Sequence, residues 1–227
     1  MKILRRLRRI LQPANSGLSD RLERYADRQL VLQAGARAQS NRHRTAISAL
    51  YDVEFSASSQ WGEDGIIDWL IDRIPGLPRT FVEFGVGDYR ESNTRLLMQL
   101  RHWGGLVIDG SPQHIADIQS QEIYWRHEIR ALQAFIDADN INELINKGGM
   151  SGDIGLLSVD IDGNDYWVWK AISVINPALV VAEYNAVFGD IQSLTIPYRP
   201  DFQRGAAHHS MLYFGASLQA LVDLGIS

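Results

Sequence analysis

From residue 80 onward, short apolar runs alternate with segments whose apolar residues recur every three or four positions. The short runs predict strands at 80–86, 105–109, 154–161 and 178–184, with a weaker one near 123–129. The periodic segments predict helices around 92–102, 112–120, 140–147 and 164–174. Continuous apolar strands that alternate with helices are typical of a parallel sheet covered on both faces.

Right-handed crossovers between such strands place each new strand beside an earlier one. The element order therefore predicts a Rossmann-like, doubly wound α/β domain with a mostly parallel sheet of strand order 3-2-1-4-5. A helix beginning near residue 62 precedes the first strand, and another at 216–224 follows the last one. We assign residues 58–227 to this domain and residues 1–57 to a helical leader.

The leader has a basic and an apolar side. At helical spacing, residues 2–11 place isoleucines and leucines on one face and lysine and arginines on the other, which predicts a short amphipathic helix that Pro13 ends. Such a helix can contact an anionic membrane surface or an acidic partner, or it can be solvated or docked on its own domain. Residues 18–50 are predicted to form a further, polar helix.

Charge and composition exclude several classes of function. Residues 1–50 hold 11 of the 22 Lys and Arg residues but only 3 of the 27 Asp and Glu residues, so the domain itself is acidic. An acidic domain disfavours a nucleic acid as the partner, because such partners are bound by clustered Lys and Arg. The absence of cysteine excludes disulfides, thiolate metal sites and cysteine nucleophiles. Neither a membrane-spanning run nor a signal peptide is evident, so we expect a cytoplasmic protein, peripheral to the inner face of the membrane if residues 2–11 bind lipid.

The loop after the first predicted strand is the first candidate for ligand binding, because ligands of doubly wound sheets bind beyond the carboxyl ends of the strands. Gly85 and Gly87 allow a sharp turn there and a close approach to a ligand. Ser92 or Asn93 can cap the following helix. A dinucleotide fingerprint needs a third glycine near Tyr89, which disfavours NAD, and an ordinary tight turn would also explain the two glycines.

Asp109 is the second candidate and ends the second predicted strand, 22 residues beyond Gly87. An acidic side chain at this position can accept hydrogen bonds from both ribose hydroxyls of NAD or of S-adenosylmethionine. Ser111 and Pro112 predict the N-cap and first residue of the next helix, so a purely capping role for Asp109 is the alternative. The spacing and the strand context favour ribose binding.

Acidic residues after the fourth and fifth strands form a third candidate site. Asp160 and Asp162 follow the most apolar strand, in a loop that lacks the glycine and glutamate of an EF-hand. Together with Glu183 they could act as a base, although the loop carboxylates could equally serve to start a helix. Asp160 and Glu183 could also hold a divalent cation, but this is the less favoured interpretation, because no third ligand beyond these two occurs at a reliable spacing. His208 is a further candidate base, or a surface residue.

Taken together, these segments resemble the FkbM-type methyltransferases. The resemblance rests on the order of residues 82–87, 107–109, 157–165 and 181–183, with aspartates where the family signature, similar to I-D-V-E-G-x-E, has glutamates. Residues 59–65 are also similar to the segment that precedes the first strand in this family. The likeness covers roughly residues 58–227.

The resemblance implies a class I, S-adenosylmethionine-dependent O-methyltransferase that acts on a hydroxyl of a sugar, a glycan or another small molecule, as in polysaccharide biosynthesis. It implies that Glu83, Gly85 and Gly87 hold the methionine end of the cofactor. It further implies that Asp109 holds the ribose, the Asp139 region the adenine, and that Asp160 lies near the methyl group. We add Gln60 and Asn93 to the cofactor site and expect Asp160, Asp162, Glu183 or His208 to remove the acceptor proton.

Two alternatives remain open. One is an NAD-linked Rossmann enzyme, and the other is a non-catalytic, membrane-associated interaction module that keeps the fold without turnover. Class I methyltransferases usually add an antiparallel strand pair after the last helix, and no such pair follows residues 216–224. We therefore expect either a C-terminally truncated form of the domain or a sheet with an uncovered edge beyond the fifth strand, and the oligomeric state is left open.

Overall fold

A five-stranded, entirely parallel sheet forms the centre of the protein in our computed structural model. The structure describes the backbone of residues 2–226 and the side chains of residues 21, 22 and 24–226. The strands run β3-β2-β1-β4-β5 across the sheet, which confirms the predicted order. They are β1 (Thr80–Phe84), β2 (Gly104–Asp109), β3 (Ile129–Gln133), β4 (Gly152–Val159) and β5 (Ile175–Ala182).

Helices connect the strands and cover the sheet. They are α1 (Lys2–Arg42), α2 (Glu63–Ile71), α3 (Arg95–Arg101), α4 (Pro112–Ser120), α5 (Glu122–Arg126), α6 (Ile141–Lys147), α7 (Asp165–Ala171), α8 (Arg204–Ala207) and α9 (Leu218–Gly225). Because successive strand residues point to opposite faces, Phe81 packs in one hydrophobic core and Val82 in the other. This double burial explains why the central strands are apolar throughout.

The predicted strand at 123–129 is largely wrong. Residues Glu122–Arg126 form helix α5, and the strand begins only at Ile129. Ile123 is buried as a helix residue, so its apolar character did not indicate a strand. Strand β3 pairs with β2 alone, and such an edge strand is half-buried and carries a weaker apolar signal than the central strands.

The leader also departs from the prediction. Helix α1 continues through Pro13 as far as Arg42, whereas the sequence predicted an end at Pro13 and a second helix reaching residue 50. A proline removes one backbone hydrogen bond, which a helix of 41 residues tolerates. The amphipathic face expected for residues 2–11 lies outside the described side chains. Within residues 2–226, no helix combines the length and the apolarity needed to cross a membrane.

Candidate functional site

Two adjoining cavities open beyond the carboxyl ends of the strands. The smaller has a volume of about 230 Å³ and lies over the loop after β1. The larger, of about 720 Å³, extends from the same loop past the ends of β2 and β3 and toward those of β4 and β5. Small-molecule sites typically occupy about 300–1,000 Å³, so the larger cavity can hold a nucleoside. The two share Gln60, Gly85, Gly87, Glu91 and Asp160 as lining residues.

The wall shared by these cavities is the glycine turn, residues 85–88. Gly85 and Gly87 have φ angles of 71° and 54°, in the left-handed region where glycine is favoured. A Cβ on Gly85 would overlap the carbonyl oxygen of Asp160. The turn therefore brings the loop after β1 against the loop after β4. The predicted close approach was to a ligand, whereas the neighbour that requires glycine at position 85 is the protein backbone.

Glu83, at the end of β1, lies beneath this turn and is only 4% exposed. Its carboxylate accepts hydrogen bonds from Ser92 Oγ (2.6 Å), Asn93 N (2.8 Å) and Thr94 N (3.2 Å). Burial raises the pKa of Glu83, and these hydrogen bonds oppose that effect. Thr94 is the N-cap residue of α3, where we expected Ser92 or Asn93. Glu83 thus holds residues 92–94 in place and lines the smaller cavity.

Asp109, at the tip of β2, is bonded directly to the glycine turn. Its Oδ2 accepts a hydrogen bond from Gly87 N at 2.9 Å. Its Oδ1 accepts from Ser111 N at 2.8 Å and lies 2.9 Å from His114 Nδ1. Ser111 caps α4 and Pro112 follows it, as predicted. Asp109 therefore stabilises the start of α4 and also forms part of the wall of the larger cavity.

Three carboxylates meet at the other end of the larger cavity. One oxygen each from Asp160, Asp162 and Glu183 lies within 4.8 Å of the other two. Burial, followed by the charge of Asp160, raises the pKa of Glu183 to about 8. Burial and the charge of Asp162 also raise the pKa of Asp160. Asp160 is solvent-accessible, but the concave walls around it displace bulk water, so its carboxylate is partly desolvated. Near neutral pH the pair holds a proton that either residue can carry.

The turn after β4 is organised by a buried aspartate. Asp165, 1% exposed, accepts hydrogen bonds from Ile161 N (2.7 Å) and Gly163 N (2.8 Å), and burial raises its pKa to about 6. Asp162 has a φ angle of 57° and forms an ion pair with Arg204. Asp165 is thus a structural residue of the turn, while Asp162 reaches the cavity.

The remaining predicted residues divide into two groups. Gln60 lines both cavities, and Asn93 lines the smaller one, where its Nδ2 donates to Ser158 Oγ at 3.1 Å. Asp139 and His208 are exposed and line neither cavity. Phe135 lies in the cavity wall near the region where Asp139 was expected.

Sequence reasoning missed several lining residues of the larger cavity. They are Trp61, His114, Phe135, Asn164, Phe202 and Arg204. The helix periodicity of α4 could have identified His114, which lies one turn beyond the Ser111 cap. No comparable signal marks Phe202 and Arg204, because they lie in a largely irregular segment far along the chain from Asp160.

The carboxylate oxygens of Asp160, Asp162 and Glu183 are ligands that suit a hard divalent cation. Of the three carboxylates, however, Asp162 is already paired with Arg204. The cluster alone therefore does not indicate a resident metal ion.

Comparison with models of known protein families gives no match, and no curated protein is recognisably similar in sequence to this chain. The functional argument therefore rests on the geometry of the cavities.

Proposed function

We propose that this protein is an S-adenosylmethionine-dependent O-methyltransferase of the FkbM type that acts on a hydroxyl group of a sugar or glycan. One observation carries the proposal. The Asp109 carboxylate binds the backbone of the glycine turn at 2.9 Å and lines a cavity of about 720 Å³. An acidic residue at the tip of the second strand, next to such a turn, suits the ribose of an adenosine cofactor.

The described residues fit this cofactor. Among the described residues, Asp109 Oδ2 accepts a hydrogen bond from Gly87 N. Because a carboxylate oxygen can accept two, it can accept a second one from a ribose hydroxyl. Gln60, Asn93 and the glycine turn offer polar and backbone groups where the methionine end would lie. When bound, S-adenosylmethionine supplies an electrophilic methyl group on a positively charged sulfur.

The electrostatics of the site favour a sulfonium over a dinucleotide. In dinucleotide sites, free N–H groups at a helix N-terminus bind the pyrophosphate. Here the backbone N–H groups of Asn93 and Thr94, which lead into α3, donate to the Glu83 carboxylate instead. The larger cavity is also lined by five acidic side chains against one arginine. Although the Asp160–Glu183 pair holds one proton, the net negative charge attracts a cation and repels a pyrophosphate.

The Asp160–Glu183 pair is suited to remove the acceptor proton. In the proposed reaction the acceptor oxygen forms a bond to the methyl carbon, the bond from that carbon to sulfur breaks, and the hydroxyl proton passes to the pair. Burial and mutual charge raise the pKa values of both carboxyl groups, and the member that is ionised near neutral pH can accept the hydroxyl proton. Asp162 holds Arg204 at the same end of the cavity.

Binding calorimetry with S-adenosylhomocysteine and with NAD, followed by transfer of a labelled methyl group to glycan extracts, tests the proposal. We expect heat with S-adenosylhomocysteine, none with NAD, and label in the glycan fraction. Tight binding of NAD alone would instead identify an NAD-linked enzyme. A folded protein that binds neither ligand would identify a non-catalytic module.

A further inference from the structure

Trp61 is a large aromatic side chain at the mouth of the larger cavity. It is 75% exposed, although an indole of this size is usually buried in a core or an interface. It lines the larger cavity only and takes no part in the smaller one beside the glycine turn. Its indole therefore lines the cavity that holds both Asp109 after β2 and the carboxylates after β4 and β5.

The backbone that carries Trp61 is fixed. The buried Asp64 carboxylate accepts hydrogen bonds from the N–H groups of Ala57 (2.8 Å), Ser58 (2.6 Å) and Ser59 (2.8 Å). The carbonyl of Ser58 accepts from Ser92 N at 2.9 Å, which ties the segment to the loop after β1. The segment that precedes Trp61 is thus held in place, so ligand binding has to order the indole side chain but not this backbone.

A buried amide with unused hydrogen-bonding capacity lines the same cavity. Asn164 is 4% exposed, and its Nδ2 donates to the carbonyl oxygen of Arg199 at 2.8 Å. Its Oδ1 has no hydrogen-bond partner within the described part of the chain. A buried acceptor without a partner destabilises the free protein, and a ligand hydroxyl would satisfy it.

The charges at this end of the cavity are strongly unbalanced. Asp160, Asp162 and Glu183 contribute carboxyl groups here, whereas the arginine that lines the cavity, Arg204, is paired with Asp162. A phosphate or carboxylate on the acceptor would meet this negative field without a free cation to bind it. Uncharged hydroxyl groups can instead donate to the carboxylates.

We propose that the acceptor end of the cavity selects an uncharged, hydroxyl-bearing ring that stacks on Trp61, and excludes acceptors that carry a phosphate or carboxylate close to the reacting hydroxyl. This inference rests on the proposed function and narrows its substrate class. Trp61 acts as a positioning residue for the acceptor and has no part in cofactor binding.

The test uses the full chain, labelled with ¹⁵N-tryptophan and saturated with S-adenosylhomocysteine. Methyl glycosides of glucose, mannose, galactose and rhamnose are titrated alongside glucuronic acid and glucose 6-phosphate. The indole N–H signal of Trp61, identified by its loss in Trp61→Phe, is followed by NMR. We expect at least one neutral glycoside to shift this signal and both anionic sugars to bind about tenfold more weakly or not at all.

Two variants separate stacking from general effects. Trp61→Ala should lower the affinity for the neutral glycoside about tenfold and leave binding of S-adenosylhomocysteine unchanged. Trp125→Ala is the matched control, because Trp125 is 74% exposed on α5 and lines neither cavity. It should change neither affinity.

Specific results would overturn the inference. They are anionic sugars that bind as well as neutral ones, neutral binding that survives Trp61→Ala, or a Trp61 signal that no glycoside shifts although S-adenosylhomocysteine binds. If S-adenosylhomocysteine itself fails to bind, the proposed function fails first, and the inference fails with it.

Discussion

The backbone of Gly85 lies directly against the carbonyl oxygen of Asp160, and no Cβ fits between the two residues. Gly87 has a similar left-handed φ angle, but its missing Cβ would point into open space. Packing therefore requires glycine at position 85, whereas at position 87 only the backbone conformation favours it. Through this contact the loop after β1 packs against the loop after β4, which carries Asp160.

The two glycines provide a matched pair of variants. Gly87→Ala should lower the free energy of unfolding by about 1–2 kcal/mol, the usual cost of a left-handed alanine. Gly85→Ala should lower it by about 3 kcal/mol or more, because the overlap must also be relieved by moving the backbone after β4. Urea denaturation of both variants measures the difference. Equal losses would contradict the close contact.

Asp109→Ala tests the ribose site. Hydrogen bonds to a charged group contribute about 1.5–3 kcal/mol, so losing the bond to one ribose hydroxyl should weaken S-adenosylhomocysteine binding about 10- to 100-fold in calorimetry. Asp117→Ala is the control, since Asp117 lies on the neighbouring helix α4 and lines neither cavity. Circular dichroism would verify that both variants are folded. Unchanged affinity in Asp109→Ala would refute the ribose assignment.

Variants of Phe135 and Asp139 distinguish two possible positions for the adenine of the cofactor. Phe135 lines the larger cavity beyond β3, whereas Asp139 is exposed and lines neither cavity. Phe135→Ala should therefore weaken S-adenosylhomocysteine binding about tenfold through lost aromatic contact. Asp139→Ala should leave the affinity unchanged. The reverse result would restore Asp139 to the cofactor site.

The raised pKa of Glu183 predicts how stability varies with pH. Its pKa rises from 4.5 to about 8 on folding, mainly through burial. Between these values the folded protein binds a proton that the unfolded chain has lost, so the free energy of unfolding decreases as pH rises from about 4.5 to about 8. Glu183→Gln removes the contribution of this residue, while that of Asp165 remains, so denaturant unfolding across the interval should give a flatter profile. A variant profile as steep as that of the unaltered protein would contradict the assignment.

Local patterns explain what could be predicted of the fold and the site. The central strands are buried on both faces, so their apolar runs are visible in the sequence. In the helices between them, apolar residues recur every three or four positions. Gly85, Gly87 and Asp109 were identifiable because the glycines follow β1 and Asp109 ends β2, and the carboxyl ends of these strands meet at one edge of a parallel sheet. The edge strand β3 was misplaced because partial burial weakens its pattern.

The sequence by itself determined the α/β class, the strand order and the identity of the loops that form the cavities, because each depends on local periodicity and on general rules of chain connection. Only the tertiary structure decided that Trp61 and Arg204 line the larger cavity and that Asp139 and His208 do not. These residues lie outside the strands and the long helices, so no periodicity in the sequence predicts where their side chains point. Their places depend on contacts between distant segments, such as the ion pair of Arg204 with Asp162.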